Sequence, residues 1–402
     1  MNPLLSFSCR VYQKALYLAT FFMPFHEPRI IDGPFSLSQK FPSELKKLGY
    51  QKLFIVIDPF LHGKESEASL LKALEKEGVG YVIFTRVVPN PPFDAVEEGV
   101  ALYIESGADS LLAIGGGSAM DTMKAIGARV ANPKKDLMKL KGLLKLSKRP
   151  PFLSAAPTTA GTGSEATVAA VVVNPETKDK FSINDPRLIP DVAILDDTLL
   201  SSLPPAIIAP TGMDALTHAI ESYIGHSSTR KSKEYALRAI SLIDKNLEAF
   251  YRDSGDAEAR KSMQLASYYA GVSFTRAYVG YVHALAHALG GYYNVPHGLA
   301  NAILLPRVLE AYGKSAYARL AEVADVLGVN GGGKEEKAKA VISWIDGLNK
   351  KLGIPKTFNK IVRDGDLMPL AVHAAKEANP LYPVPKEFNA KELSKILLEV
   401  NG

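Results

Sequence analysis

The 402-residue chain lacks most of what covalent or soft-ligand chemistry needs. Its single cysteine, Cys9, excludes an intramolecular disulfide, a cysteine-rich zinc site and an iron–sulfur cluster, and fits a reducing, cytoplasmic location. Neither sign of charge dominates. The net charge is +5 and the basic residues are scattered without interleaved aromatics, so no nucleic-acid partner is expected. No apolar run reaches the roughly 20 residues that cross a bilayer, so no membrane partner is expected either. Internal repeats and low-complexity tracts are also missing. Apolar residues at 47% and charged residues at 22% are ordinary for a soluble globular chain, which argues against disordered, collagenous and coiled-coil classes. The length suits two domains of common size. Histidine is scarce too, at 8, yet five of these lie between His218 and His297.

Residues 1–22 (MNPLLSFSCRVYQKALYLATFF) are mostly apolar, but Arg10 and Lys14 interrupt the run and no small-x-small cleavage site follows. Met23 precedes a segment that looks like a domain start. Residues 1–22 are therefore expected to be an over-called start or a small appendage.

Short apolar runs at 52–58, 80–84, 110–114 and 152–156 alternate with helical patterns such as 65–76 and 94–107. That alternation predicts βαβ units and a parallel sheet covered on both faces. Runs at 167–173 and 191–195 are expected to extend the same region. After Pro204-Pro205 helical patterns dominate to the end. The predicted fold is an α/β N-terminal dinucleotide-binding domain built on a parallel sheet, residues 23–203. An all-α C-terminal metal-binding domain follows, residues 204–402.

In the first domain, Gly115-Gly116-Gly117-Ser118 follows a strand and opens a helix. Glycines admit a phosphate close to the backbone, and the helix N-terminus offers unpaired N–H groups and a positive dipole end. The pattern is GGGSxxD rather than G-x-G-x-x-G, and a plain turn capped by Ser118 is the alternative. A second loop, PTTAGTGSE at 157–165, follows another strand and carries hydroxyls with little bulk. Two such loops at strand C-terminal ends favour ligand binding at that sheet edge. Asp58 ends the first strong strand. An acid there can accept hydrogen bonds from an adenosine ribose and repel a 2′-phosphate, which predicts NAD rather than NADP; a plain turn residue before Pro59 is the alternative.

In the second domain, Asp214 and His218 are spaced i, i+4, as are His283 and His287, so each pair shares a helix face. His297 follows in NVPHGLAN. Several imidazoles with one carboxylate form the inventory of a divalent-metal site. One such pair alone is more often a surface or satisfied core feature; two pairs within apolar helices favour the metal. Iron and zinc are not distinguished by these ligand types. His26, His62 and His373 sit among polar or turn residues, and His226 lies in a Ser-Ser-Thr loop; all four are expected to be solvated bystanders.

The motifs GGGSAMD (115–121), PTTAGTGSE (157–165), PTGMDALTHAIESY (210–223) and GYVHALAHALGGYYNVPHGLANAILLP (280–306) together resemble the iron-containing, or group III, alcohol dehydrogenase family. The resemblance runs in order from about residue 28 towards the C-terminus, and residues 1–22 lie outside it. It implies a dehydroquinate synthase-like fold and metal ligands Asp214, His218, His283 and His297, with Fe²⁺ favoured and Zn²⁺ an alternative. It makes His287 a non-ligand near the substrate and Phe274 a wall of the substrate pocket. Gly115, Gly116, Gly117 and Ser118 match the pyrophosphate loop, Thr158, Thr159 and Thr162 the loop around the nicotinamide half, and Asp58 the ribose contact. Asn90 and Lys180 match cofactor-side positions. The implied activity is NAD-dependent oxidation of small primary alcohols or diols, and the reverse reduction of aldehydes, by hydride transfer. His287 would pass on the proton. A homodimer is the family's expected assembly. Glycerol dehydrogenase-like polyol oxidation and, from another class, a metal-dependent hydrolase are the alternatives.

Overall fold

The computed structural model describes residues 3–20, 22–176 and 180–402, and these divide into two compact units. One unit is Pro24–Ser202. The other joins Leu203–Gly402 to the N-terminal helix, α1 (Pro3–Thr20).

The described residues of the Pro24–Ser202 unit include nine strands: β1 (Arg29–Asp32), β2 (Lys52–Ile57), β3 (Gly80–Phe84), β4 (Ser110–Gly115), β5 (Gly142–Leu143), β6 (Phe152–Pro157), β7 (Ala169–Val173), β8 (Lys180–Asn184) and β9 (Val192–Leu195). Six of them form one parallel sheet in the order β1-β9-β6-β4-β2-β3. The central strands are apolar on both faces because both faces are covered. Leu53, Ile55 and Ile57 of β2 pack into one cluster with Leu70 and Leu74 of α2 (Glu65–Lys76). Phe54 and Val56 point the other way. They meet Val96 and Val100 of α3 (Phe93–Ser106) and Met120, Met123 and Ile126 of α4 (Gly117–Ala131). The expected parallel sheet is present.

One expectation needs correction. The 167–173 run does not extend that sheet; β7 pairs antiparallel with β8, and β5 completes a separate three-stranded sheet. β7 and β8 bury alternate residues, as strands with one covered face do, whereas β4 is buried throughout.

The second unit is helical: α5 (Pro205–Ile224), α6 (Arg230–Arg252), α7 (Ala257–Ala277), α8 (Tyr281–Tyr293), α9 (His297–Tyr312), α10 (Lys314–Leu327), α11 (Lys334–Lys351), α12 (Leu367–Ala378) and α13 (Ala390–Asn401). α5 starts at Pro205, which a first turn tolerates because an N–H there has no intrahelical partner. Its residues from Met213 to Ile224 are all buried, so α5 is the central helix of the unit. α6, α7 and α9 pack on it, while α8 packs on α9 and α12. No helix among the described residues is long and apolar enough to cross a membrane.

α1, expected as an appendage, docks on this unit through one stripe. Ser6, Cys9, Arg10 and Gln13 are spaced for a single helix face. Cys9 and Gln13 are buried, and the Gln13 amide donates to Tyr382 O at 2.8 Å.

Candidate active site

The residues expected to bind the cofactor in the α/β unit gather at the C-terminal ends of three adjacent strands, β2, β4 and β6. Asp58 N donates to Ile114 O at 2.9 Å, and Thr158 N donates to Gly115 O at 3.1 Å. A Cβ on Gly116 would lie 3.5 Å from Thr159 Oγ1, and one on Gly117 would lie 3.0 Å from Thr162 Cγ2. The glycine turn and the threonine loop thus form one surface. The N-cap of α4 is Gly116 and no side chain caps it, so the Ser118-capped turn is not what forms. The first-turn N–H groups of a helix have no intrahelical partner, which suits an anion. Asn90 and Lys180 reach each other's neighbourhood by another route. Val173 at the end of β7 donates to Pro91 O at 2.9 Å and pairs with Lys180 of β8. Asn90 adopts a left-handed conformation, φ 55°.

Sequence reasoning missed what holds the threonine loop. Lys124, fully buried on α4, points its ammonium at Ser164 O (2.7 Å), Ser164 Oγ (3.1 Å), Thr167 O (2.9 Å), Thr167 Oγ1 (3.0 Å) and Ala169 O (3.0 Å). Burial pushes its pKa down to about 8. Two carboxyls lie close by, Asp121 half-buried and Glu165 buried. Burial raises Asp121 to about 6 and Glu165 to about 7. Neither Glu165 carboxylate oxygen has a hydrogen-bond partner among the described residues.

The helical unit builds a second centre. α5 presents Asp214, His218 and Glu221 on one face; α8 presents His283 and His287; α9 opens with His297. Asp214, His283 and His297 each offer a ligand atom, all within 4.8 Å of one another. Asp214 Oδ1 is 3.8 Å from His283 Nε2 and 3.5 Å from His297 Nε2. His218 sits beside them, its ring centroid 4.4 Å from that of His283 and its Nδ1 3.9 Å from Asp214 Oδ1. Phe274 stacks on His218 at 4.2 Å and walls that side. His287 lies parallel to His297 at 5.1 Å, but its Nδ1 turns to Glu377 Oε1 at 2.7 Å.

Two glycines make these approaches possible. A Cβ on Gly298 would lie 2.2 Å from Pro210 O, so only glycine lets the start of α9 touch α5, one turn before Asp214. A Cβ on Gly280 would lie 2.5 Å from Glu221 Oε1. The Glu221 carboxylate therefore reaches the N-terminus of α8, where it accepts from Gly280 N and Val282 N, each at 2.8 Å, and meets His283 Nδ1 at 2.6 Å. Burial raises Glu221 to about 7 against those hydrogen bonds. Burial, then the neighbouring His218, His297 and His287, hold His283 well below the usual imidazole range.

Asn301, one turn after His297, occupies the focus of the cluster. Its Nδ2 lies 2.6 Å from Asp214 Oδ1, 3.1 Å from His297 Nε2 and 3.3 Å from His283 Nε2. Its Oδ1 is buried with no partner among the described residues. An amide has only two N–H donors for those three acceptors. The convergence suits a cation. Glu221 and Asn301 could have been suspected from spacing alone, because each lies on the ligand face of its helix, three residues after His218 and four after His297. Glu377 carried no such signal.

His62 and His226 are exposed, as expected; His62 Nδ1 also meets Glu67 at 3.0 Å, and His226 Nε2 lies 3.4 Å from Pro385 O.

The iron-containing alcohol dehydrogenase sequence model matches residues 28–197, and the C-terminal model of the Fe-containing alcohol dehydrogenase family matches residues 208–400. Lactaldehyde reductase of Escherichia coli (strain K12) is 40% identical over 332 residues, 82% of this chain and 86% of its own length. The NAD-dependent methanol dehydrogenase of Bacillus methanolicus is 35% identical over 338 residues, 83% of this chain and 88% of its own. The crystal structure of a 1,3-propanediol oxidoreductase superposes with a TM-score of 0.90 at 35% identity, covering 94% of this chain and 99% of that one.

Proposed function

The chain belongs to the iron-containing alcohol dehydrogenase family, and is thus an oxidoreductase. From that premise we propose an NAD(H)-dependent, divalent-metal alcohol dehydrogenase that interconverts small primary alcohols or diols with their aldehydes. The observation that carries the metal is the convergence of Asp214 Oδ1, His283 Nε2 and His297 Nε2 on the Asn301 amide nitrogen. One carboxylate and neutral imidazoles fit Fe²⁺ or Zn²⁺, and the family favours Fe²⁺.

In this reading Asp214, His218, His283 and His297 hold the ion. Glu221 on Nδ1 of His283 keeps Nε2 of that ring as the ligating atom, and Asp214 supplies the balancing negative charge. When bound, the metal supplies Lewis acidity towards the substrate oxygen. Phe274 walls the pocket and favours a small substrate. His287 is assigned to the proton, because its ring lies beside the ligands while Glu377 engages only its Nδ1. The glycine turn and the first turn of α4 receive the pyrophosphate; Thr158, Thr159 and Thr162 line the nicotinamide side; Asp58 binds the ribose hydroxyls and selects NAD; Asn90 and Lys180 complete the cofactor side. The relatives' names favour short alcohols, diols and hydroxyaldehydes.

The test is reconstitution of chelator-stripped enzyme with Fe²⁺ or Zn²⁺, following NADH against a panel of short alcohols and diols. Metal-dependent NADH formation, strongest with Fe²⁺, is expected. Ester or phosphate release with no change in the nicotinamide would favour the hydrolase instead.

A further inference from the structure

His287 is held from behind by a chain of contacts that runs to the N-terminal helix. Its Nδ1 is 2.7 Å from Glu377 Oε1, near the end of α12. The Tyr382 hydroxyl donates to that same oxygen at 2.7 Å. Burial alone would raise the Glu377 carboxyl, but His287, Tyr382 and His373 together outweigh it and hold it below its ordinary value. As a carboxylate the group only accepts hydrogen bonds, so the proton of this contact sits on His287 Nδ1, and Nε2 is left outside it.

Tyr382 lies on the segment joining α12 to α13, and α1 grips that segment. Gln13 donates to Tyr382 O at 2.8 Å, and Arg10 donates to Val384 O at 2.7 Å and Pro385 O at 3.1 Å. Arg10 also pairs with Glu387, which accepts from Ser6 Oγ at 3.1 Å. The Tyr281 hydroxyl of α8 bonds Asn379 Oδ1 at 2.8 Å and receives Phe388 N at 2.8 Å. The segment carrying Tyr382 is therefore tied both to α1 and to the helix that bears His283 and His287.

We propose that Glu377 is a positioning residue that fixes the Nδ1–H tautomer and ring plane of His287, and that α1 braces the Tyr382 segment through Gln13 and Arg10. The inference rests on His287 as the proton-handling group, and it makes α1 a part of the working site.

The test uses the full-length, metal-loaded enzyme carrying Glu377→Ala or Glu377→Gln, each alone and combined with His287→Ala. Circular dichroism checks the fold. Glu377→Ala should lower kcat by about tenfold, in the range seen for outer-shell partners of histidines. KM for NAD and metal per chain should stay unchanged. Glu377→Gln keeps an acceptor and should recover most of the rate. In the His287→Ala background Glu377→Ala should cost nothing more. In the zinc-loaded protein, a downfield imidazole N–H resonance should vanish in His287→Ala and in Glu377→Ala and return in Glu377→Gln. Gln13→Ala combined with Arg10→Met should lower kcat in the wild-type background and not in Glu377→Ala.

An undiminished loss from Glu377→Ala in the absence of His287, or survival of the resonance in Glu377→Ala, overturns the positioning role. A Gln13/Arg10 effect that persists in Glu377→Ala overturns the bracing. An unchanged kcat in His287→Ala alone overturns the proton-handling reading instead, and the resonance then decides the positioning by itself.

Discussion

The Glu221 carboxylate lies 2.6 Å from Nδ1 of His283, and the same carboxylate closes the N-terminus of α8 through Gly280 N and Val282 N. One side chain thus orients the ring of a proposed metal ligand and anchors the helix that carries it. Removing it by Glu221→Ala leaves two buried N–H groups unmet and frees the ring to turn. Metal affinity should fall about 10- to 100-fold. Competition with a chromophoric chelator reads this directly. Glu221→Gln keeps one acceptor and should lie between.

Gly298→Ala places a methyl where Pro210 O already stands, so the start of α9 must move from α5. The cost to the metal-free protein is expected at about 1–3 kcal/mol, the usual penalty of overpacking. His297 moves with that helix end, so the variant should also lose metal. Thermal melts with and without metal separate the two effects: the metal-induced rise in Tm should shrink in Gly298→Ala.

Asp58 ends β2 beside the glycine turn, and Phe60 N donates to one of its oxygens at 2.9 Å. An anion there should make the wild type prefer NAD to NADP. In Asp58→Gly the ratio of kcat/KM for the two cofactors should narrow by about tenfold or more, equivalent to about 1.4 kcal/mol. Equal use of both cofactors by the wild type would remove Asp58 from the ribose.

Glu165, the last residue of the threonine loop, is buried, and burial raises its pKa to about 7. A carboxyl raised in the folded state binds its proton more tightly there than in the unfolded chain. Its contribution to stability should therefore decline as pH rises from the model-peptide range, near 4.5, to about 7. Glu165→Gln removes that decline. Chemical denaturation at pH 5 should show similar stability for the two proteins, and at pH 8 the variant should be more stable, by up to about 3 kcal/mol.

Much of this was legible in the linear chain because the signals were local. A two-faced apolar strand such as β2 needs helices on both sides, and Asp214–His218 and His283–His287 announce shared helix faces by spacing. One run deceived: 167–173 looked like more of the parallel sheet, yet as β7 it forms a separate small sheet with β8 and β5, a pairing set by partners and not by composition.

The sequence by itself determined the order of elements, the glycine and threonine loops, the acid at the end of β2, and which helices carry imidazoles. These depend on periodicity and residue type over a few turns of chain. Only the tertiary structure decided which polar atoms meet. Asn301 at the focus of three ligand atoms, Glu221 behind His283, Lys124 under the threonine loop, and Glu377 and Tyr382 behind His287 are contacts between distant segments. The docking of α1 belongs with them. Such contacts form because a buried polar group must find a partner in three dimensions, and the chain carries no local mark of who that partner will be.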